Sequence, residues 1–393
     1  MNAYLSEKIR NLSFLLMILV AFIHGYNVNL HFNDGHSIVP GYWIRFMQGF
    51  ISDGVCRVAV PMFFAISGYL ATNSINNNFS LDSYLKLLSK RVKSLLIPYF
   101  LVSALGIGLV VTLQLIPISK PFFNNFSIDT TTAKQWLWVW TLSPVPYQLW
   151  FIRFLMDYLL FYPVLYLFIK YARLPALASL GFLWMYSPIY SMVGISKVMF
   201  SLASLGLCIL SDTHYALYMT TSKLELEGMF FFSVGIFASQ FQINTSHRIP
   251  KNTLLLLIFG WLLWVGYRTY LNLLPVRGHF AIHNHQVVYT LVGFVLFWFF
   301  YDLIAEKVSK SQWIRSNASY SIGIFLFHEP ALTIVKKIII RLGGSSDFNL
   351  LLAFIIAPVA AFLFGLAFSR LLFGIAPSVY GLFTGNRKPK KLS

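Results

Sequence analysis

Proton transfer within a membrane needs a titratable side chain where few are tolerated, because an ionisable group in hydrocarbon costs on the order of several kcal/mol unless it is paired or faces water. His24 meets that description. It follows Arg10 by 14 residues inside an apolar run, about 21 Å along a helix. An ordinary imidazole titrates near about pH 6.5, the range in which a general base works. A packing histidine bonded to a neighbouring helix's carbonyl fits the same position. His328-Glu329-Pro330 is a second candidate. Adjacent side chains point about 100° apart on a helix, so both ionisable groups do not face lipid together, and Pro330 opens the backbone ladder. A polar cavity is expected there.

Asp53 with Arg57, and Arg153 with Asp157, stand at i,i+4. Each pair reads equally as a helix-stabilising contact and as a functional one. Glu225 and Glu227 open an apolar run, where a helix N-terminus favours carboxylates without any function. His279, His283 and His285 have a spacing that can converge on a metal, but no carboxylate or cysteine accompanies them, and no metal is assigned.

These residues sit in a chain of 393 residues that is 57% hydrophobic and 11% charged. Soluble domains are about one-quarter charged, so lipid is the main solvent here. Apolar runs near the roughly 20 residues needed to cross a bilayer recur throughout, at 12–31, 55–73, 95–117, 147–169, 174–192, 225–241, 252–272, 284–303, 318–338 and 349–373. The expected fold is all-α, a polytopic membrane protein with about ten transmembrane helices. Residues 1–375 form the membrane domain and 376–393 a basic cytoplasmic tail. Leu12 onward reads as a retained span, since no small-residue cleavage site follows it.

Lys and Arg total 30 against 13 acidic residues, a net charge of +17. Most of this charge falls between apolar runs, where it holds loops on the cytoplasmic side against anionic headgroups, so it needs no nucleic-acid partner. Lys8 and Arg10, then Lys86, Lys90, Arg91 and Lys93, then Lys170 and Arg173 alternate to put both termini in the cytoplasm. Lys336, Lys337 and Arg341 run against that order, and the apolar stretch Met199 to Leu210 is unassigned, which leaves room for an eleventh or re-entrant segment. Cys56 and Cys208 have neither disulfide-framework nor zinc spacing.

Six segments in order resemble the membrane acyltransferase type 3 family: the helix Ile9 to His24; the block Cys56 to Leu70 with Ser67-Gly68-Tyr69; Lys90-Arg91-Val92-Lys93 through Pro98-Tyr99; Tyr147-Gln148-Leu149-Trp150-Phe151; Glu227 to Gly235; and Ser319 to His328. The resemblance covers most of the chain. It departs at Ser13, where many members carry an arginine, and at Arg10, where they carry an acidic residue. Arg10 lies about one turn from Ser13, within reach of a snorkelling side chain. Some members carry a soluble hydrolase-like extension that has no counterpart in this sequence.

The resemblance implies O-acyl transfer, with acetyl-CoA or another acyl-CoA as co-substrate, no permanently bound cofactor, and a polysaccharide or lipid-linked sugar as acceptor, in a bacterial cytoplasmic (inner) membrane. His24 is then the base, with Glu329 or Asp53 orienting its second nitrogen. Arg57, Lys90, Arg91 and Lys93 hold the nucleotide phosphates, or anchor the loop. Tyr147, Trp150 and His328 meet the acceptor sugar, though aromatic belts lie at that depth in most membrane proteins. The alternative is a transporter or flippase of a glycan or lipid intermediate. That predicts two repeated halves, and the His24 block has no visible counterpart after residue 200.

Overall fold

The first helix, α1 (Ala3–Gly25), begins where the Asn2 side chain accepts from the Leu5 amide (2.7 Å). The computed structural model describes residues 2–26, 30–31, 37–75, 79–117, 119, 128, 131–142, 145–186, 226–243, 249–274, 279–387 and 389, with backbone alone at 30–31, 37–38 and 279–285. Met199 to Leu210, Cys208 and Glu225 therefore lie outside the described residues, as do the side chains of His279, His283 and His285. A short antiparallel pairing, β1 (Leu30–His31) with β2 (Ser37–Ile38), follows α1.

Long α2 (Tyr42–Ser74) passes through a π-helical turn at Gly49–Val55 and a 3-10 turn at Cys56–Val58. Helix α3 (Leu81–Leu115) opens on a Ser80 capping box, contains the π-helical turn Val92–Leu96, and is followed by α4 (Ala133–Thr141), which opens on a Thr132–Gln135 capping box. Next, α5 (Tyr147–Leu160) and α6 (Tyr162–Ala172) meet at a 62° bend, where Pro163 occupies the first turn of α6 and cannot continue the preceding ladder. Then come α7 (Leu174–Met185), α8 (Leu226–Gln240), α9 (Lys251–Leu273), α10 (His279–Lys310) and α11 (Gln312–Asn317). The chain closes with α12 (Ser321–Gly343), α13 (Asp347–Ile375) and α14 (Pro377–Thr384), the last lying inside the segment 376–393 expected as a tail.

This is an all-α, multi-pass membrane protein. Among the described residues six helices are long and apolar enough to cross a bilayer, and a seventh if the bent α5–α6 pair is one span. Each of the ten apolar runs overlaps a helix. However, α7 and α8 are only 12 and 15 residues long, and α12 carries Glu329, Lys336 and Lys337, which set it apart from the six.

The core is aromatic and tightly built. Phe64, Tyr158, Tyr162, Tyr166, Phe231 and Phe232 are fully buried, and Tyr162 donates to the Thr72 hydroxyl (3.1 Å). Helices α2 and α8 touch backbone to backbone: a methyl on Gly68 would strike the Phe232 carbonyl, and one on Gly235 the Ala65 carbonyl. Within lipid, where the hydrophobic effect does not drive helices together, such small-residue contacts are what association rests on.

Candidate active site

One face of α1 lines a cavity of about 340 Å³. Ile9, Ser13, Met17, Val20 and His24 follow one another along it at helical spacing, so the wall they form runs about 22 Å. The opposite walls come from α2 (Phe63, Ser67), α5 with its Gln148 and Trp150, and α12 (Ser321, Phe325), while Arg91 of α3 and Arg387, beyond α14, add two guanidiniums. Among the described residues the lining holds no carboxylate. A neighbouring cavity of about 280 Å³ shares Ile9 and Ile66 with it but is walled almost wholly by apolar side chains. The groups able to do chemistry face the first.

His24 keeps part of its surface open to this cavity. Behind it His328 is fully buried, with ring centroids 5.5 Å apart. Nδ1 of His328 lies 3.0 Å from the Ile324 carbonyl and 2.9 Å from that of Phe325. Carbonyls only accept, so Nδ1 carries the proton of the neutral ring and Nε2 is left as an acceptor. Among the described residues Nε2 has no partner. The turn that carries His24 is held on several sides: Gly25 packs against Pro358, Ser52 donates to the Phe22 carbonyl (2.6 Å), and Lys336 donates to the carbonyl of His24 itself (3.3 Å).

Gln148 is buried beside Trp150, and among the described residues neither its amide nitrogen nor its oxygen has a partner. A buried primary amide normally satisfies both atoms. Here it offers two donor hydrogens to whatever fills the cavity. The sequence holds this residue in a family segment but gives no sign that it would be unsatisfied.

Several expected residues lie elsewhere. Glu329 accepts from the Thr333 hydroxyl (2.6 Å) and lines a separate cavity of about 50 Å³ against α3, because one helical step turns it away from the face His328 shares with His24. It does not orient His24, and neither does Asp53. The i,i+4 pair Asp53–Arg57 does not form: Asp53 binds Arg268 of α9 (2.5 Å), and Arg57 binds Glu227 of α8 (2.9 Å). The π and 3-10 turns between them break the 100° spacing that would have put them on one face. Arg57 is thereby engaged away from the cavity. Lys90 and Lys93 are exposed on the outside of α3, and only Arg91 of that cluster turns inward. Tyr147 is 73% exposed, while Trp150 lines the cavity.

Ser13 faces the cavity with its hydroxyl bonded to the Ile9 carbonyl (2.7 Å), and Arg10, which bonds Asn11 (3.3 Å), is not among the lining residues. Lys8, read as a loop anchor, is instead buried in an ion pair with Asp302 of α10 (2.7 Å) under the Trp298 ring. Arg387, expected only as part of the basic cytoplasmic tail, lines the cavity instead. Its side chain is exposed overall, yet the protein packed around it, and then the charge of Arg91, pull its guanidinium down to about 10. It remains cationic at neutral pH.

A family model described as an acyltransferase domain matches residues 8–370, which takes in His24, Arg91, Gln148, Trp150 and His328. The chain is also similar to the succinoglycan biosynthesis protein ExoH of Rhizobium meliloti, 27% identical over 190 residues that make up 46% of this chain and 48% of that protein. The match thus spans about half the length of that relative. No solved structure matches. With the family match running across nearly the whole helical bundle, this chain belongs to the membrane acyltransferase type 3 family.

Proposed function

We propose that the protein is an O-acyltransferase that moves an acyl group, acetyl in the simplest case, from acyl-CoA to a hydroxyl of an exported polysaccharide or a lipid-linked sugar. The observation that carries this reading is one cavity with His24, Gln148 and two guanidiniums on its walls and, among the described residues, no carboxylate. Such a cavity suits an anionic thioester donor. Similarity to a succinoglycan biosynthesis protein supports a polysaccharide acceptor.

In the mechanism, His24 accepts the acceptor's hydroxyl proton as that oxygen attacks the thioester carbonyl. The carbonyl oxygen becomes an oxyanion, and the free Gln148 amide donates to it. Collapse breaks the carbon–sulfur bond, and the departing thiolate takes the proton from His24, so the enzyme returns to its starting state. His328, with Nε2 as an acceptor, backs the His24 ring. Trp150 offers a face to the sugar.

The flanking basic residues support cytoplasmic termini in a bacterial inner membrane, so the donor enters from the cytoplasm. Reporters at Ser393 and at Lys134 should then label opposite sides, and labelling on one side would overturn this orientation. Mass analysis of the surface polysaccharide tests the function itself. Deleting the gene should remove an acyl substituent, about 42 mass units for acetyl, with the sugar backbone unchanged; loss or truncation of the backbone with acylation intact would contradict it.

A further inference from the structure

The last turn of α14 is built to seat the chain that follows it. Gly385 adopts the left-handed conformation (φ 68°) and Asn386 follows at φ 60°, with the Asn386 amide bonded to the Gly381 carbonyl (2.6 Å). This cap turns the backbone sharply and presses Gly385 onto Ser94, so closely that a Cβ at 385 would strike the Ser94 backbone. Ser94 belongs to the π-helical turn that begins directly after Arg91. The tail therefore docks on Ser94, three residues from Arg91, and Arg387 lines the same cavity as Arg91.

This corner has the marks of an unfilled anion site. Two guanidiniums line this one cavity, and the charge of Arg91 lowers the pKa of Arg387. Among the described residues neither is in an ion pair, and the cavity lining has no acidic side chain. Among the described residues the buried Arg91 Nε and the buried Ser94 hydroxyl have no partner. Paired cations that no carboxylate neutralises cost stability unless a ligand supplies the charge, and a forked guanidinium pair matches phosphate oxygens.

We propose that the docked tail supplies half of a phosphate site: Arg387, seated by Gly385, joins Arg91 in gripping the phosphate groups of the donor, so that donor binds only when the tail is in place. The assignment of that anion as acyl-CoA rests on the function proposed above; the anion site itself does not.

The test is calorimetric titration of the full-length protein in lipid nanodiscs with coenzyme A, and separately with inorganic pyrophosphate. Arg387→Ala should weaken coenzyme A binding at least tenfold without lowering the thermal stability of the ligand-free protein. Gly385→Ala, which keeps both arginines but unseats the tail, should weaken it comparably. If Gly385→Ala does not fold, Arg387→Ala alone decides. Wild-type affinity for coenzyme A in Arg387→Ala would overturn the tail site and leave the acyl-CoA reading standing. If the wild type ignores coenzyme A but binds pyrophosphate through Arg387, the site stands and the acyl-CoA reading falls. Binding of neither ligand by the wild type would overturn the site.

Discussion

His24→Ala should lower acyl transfer by about two to four orders of magnitude, the usual contribution of a positioned acid–base group, while the protein still inserts in the membrane at its normal level. The size of the effect follows from position. His24 is the titratable group that meets the cavity from α1, its carbonyl and the turn around it are fixed by Lys336, Ser52 and Pro358, and His328 stands behind it with no exposed surface. Comparing His24→Ala with His24→Gln separates catalysis from packing. Gln keeps a polar group of similar size but cannot take a proton at neutral pH, so it should be as inactive as Ala. A Gln variant present at normal level and acylating near the wild-type rate would remove His24 from the role of base and make His328 the next residue to test.

Gly235→Val should cause the largest loss of stability. Its side chain would enter the backbone contact between α2 and α8, where even a methyl meets the Ala65 carbonyl and the Tyr69 amide. Overpacking of this kind costs about 1–3 kcal/mol where side chains can yield, and here the obstacle is backbone. Separation of the two helices would also move Ser67, which lines the cavity one residue from Gly68. The control is Gly260→Ala in α9, where nothing lies within 4 Å of the added methyl. That change should be neutral, or stabilising by up to about 1 kcal/mol from helix propensity. Thermal unfolding of both variants in detergent checks the contrast, and equal melting temperatures would contradict the close-packed α2–α8 contact.

Much of this architecture is written in local sequence. Apolar length marks where helices lie, and Ser80 and Thr132 mark two of their starts, but the first span, expected at 12–31, runs Ala3–Gly25, so His24 stands in its last turn rather than deep within it. The partners of charged groups are a different matter, because they depend on which helices meet. Asp53 and Arg57 look like each other's partners only under uninterrupted α-helical spacing, and the π and 3-10 turns send them to Arg268 and Glu227 more than 160 residues away in sequence. Glu329 is a similar case. Its adjacency to His328 suggested one polar site, and the helix's angular step instead divides the two between separate cavities. Gln148 is legible as a polar residue near a span, but that it is buried without a partner among the described residues shows only in the folded bundle, where it shares a cavity wall with residues of α1, α2 and α12. Arg387 is hidden for the strongest reason: a basic tail reads as a headgroup anchor, and only the left-handed turn at Gly385 brings it back into the bundle.

The most direct test of acyl transfer within this cavity is a thioester balance on purified protein. The protein in nanodiscs is given acetyl-CoA labelled in the acetyl group, together with polysaccharide from a strain lacking the gene, and both free coenzyme A thiol and labelled polysaccharide are measured. One labelled acetyl should appear on the polysaccharide for each thiol released, and His24→Gln should abolish both together. Polysaccharide that crosses a membrane while acetyl-CoA stays intact, or thiol release that never labels the acceptor, would contradict the account.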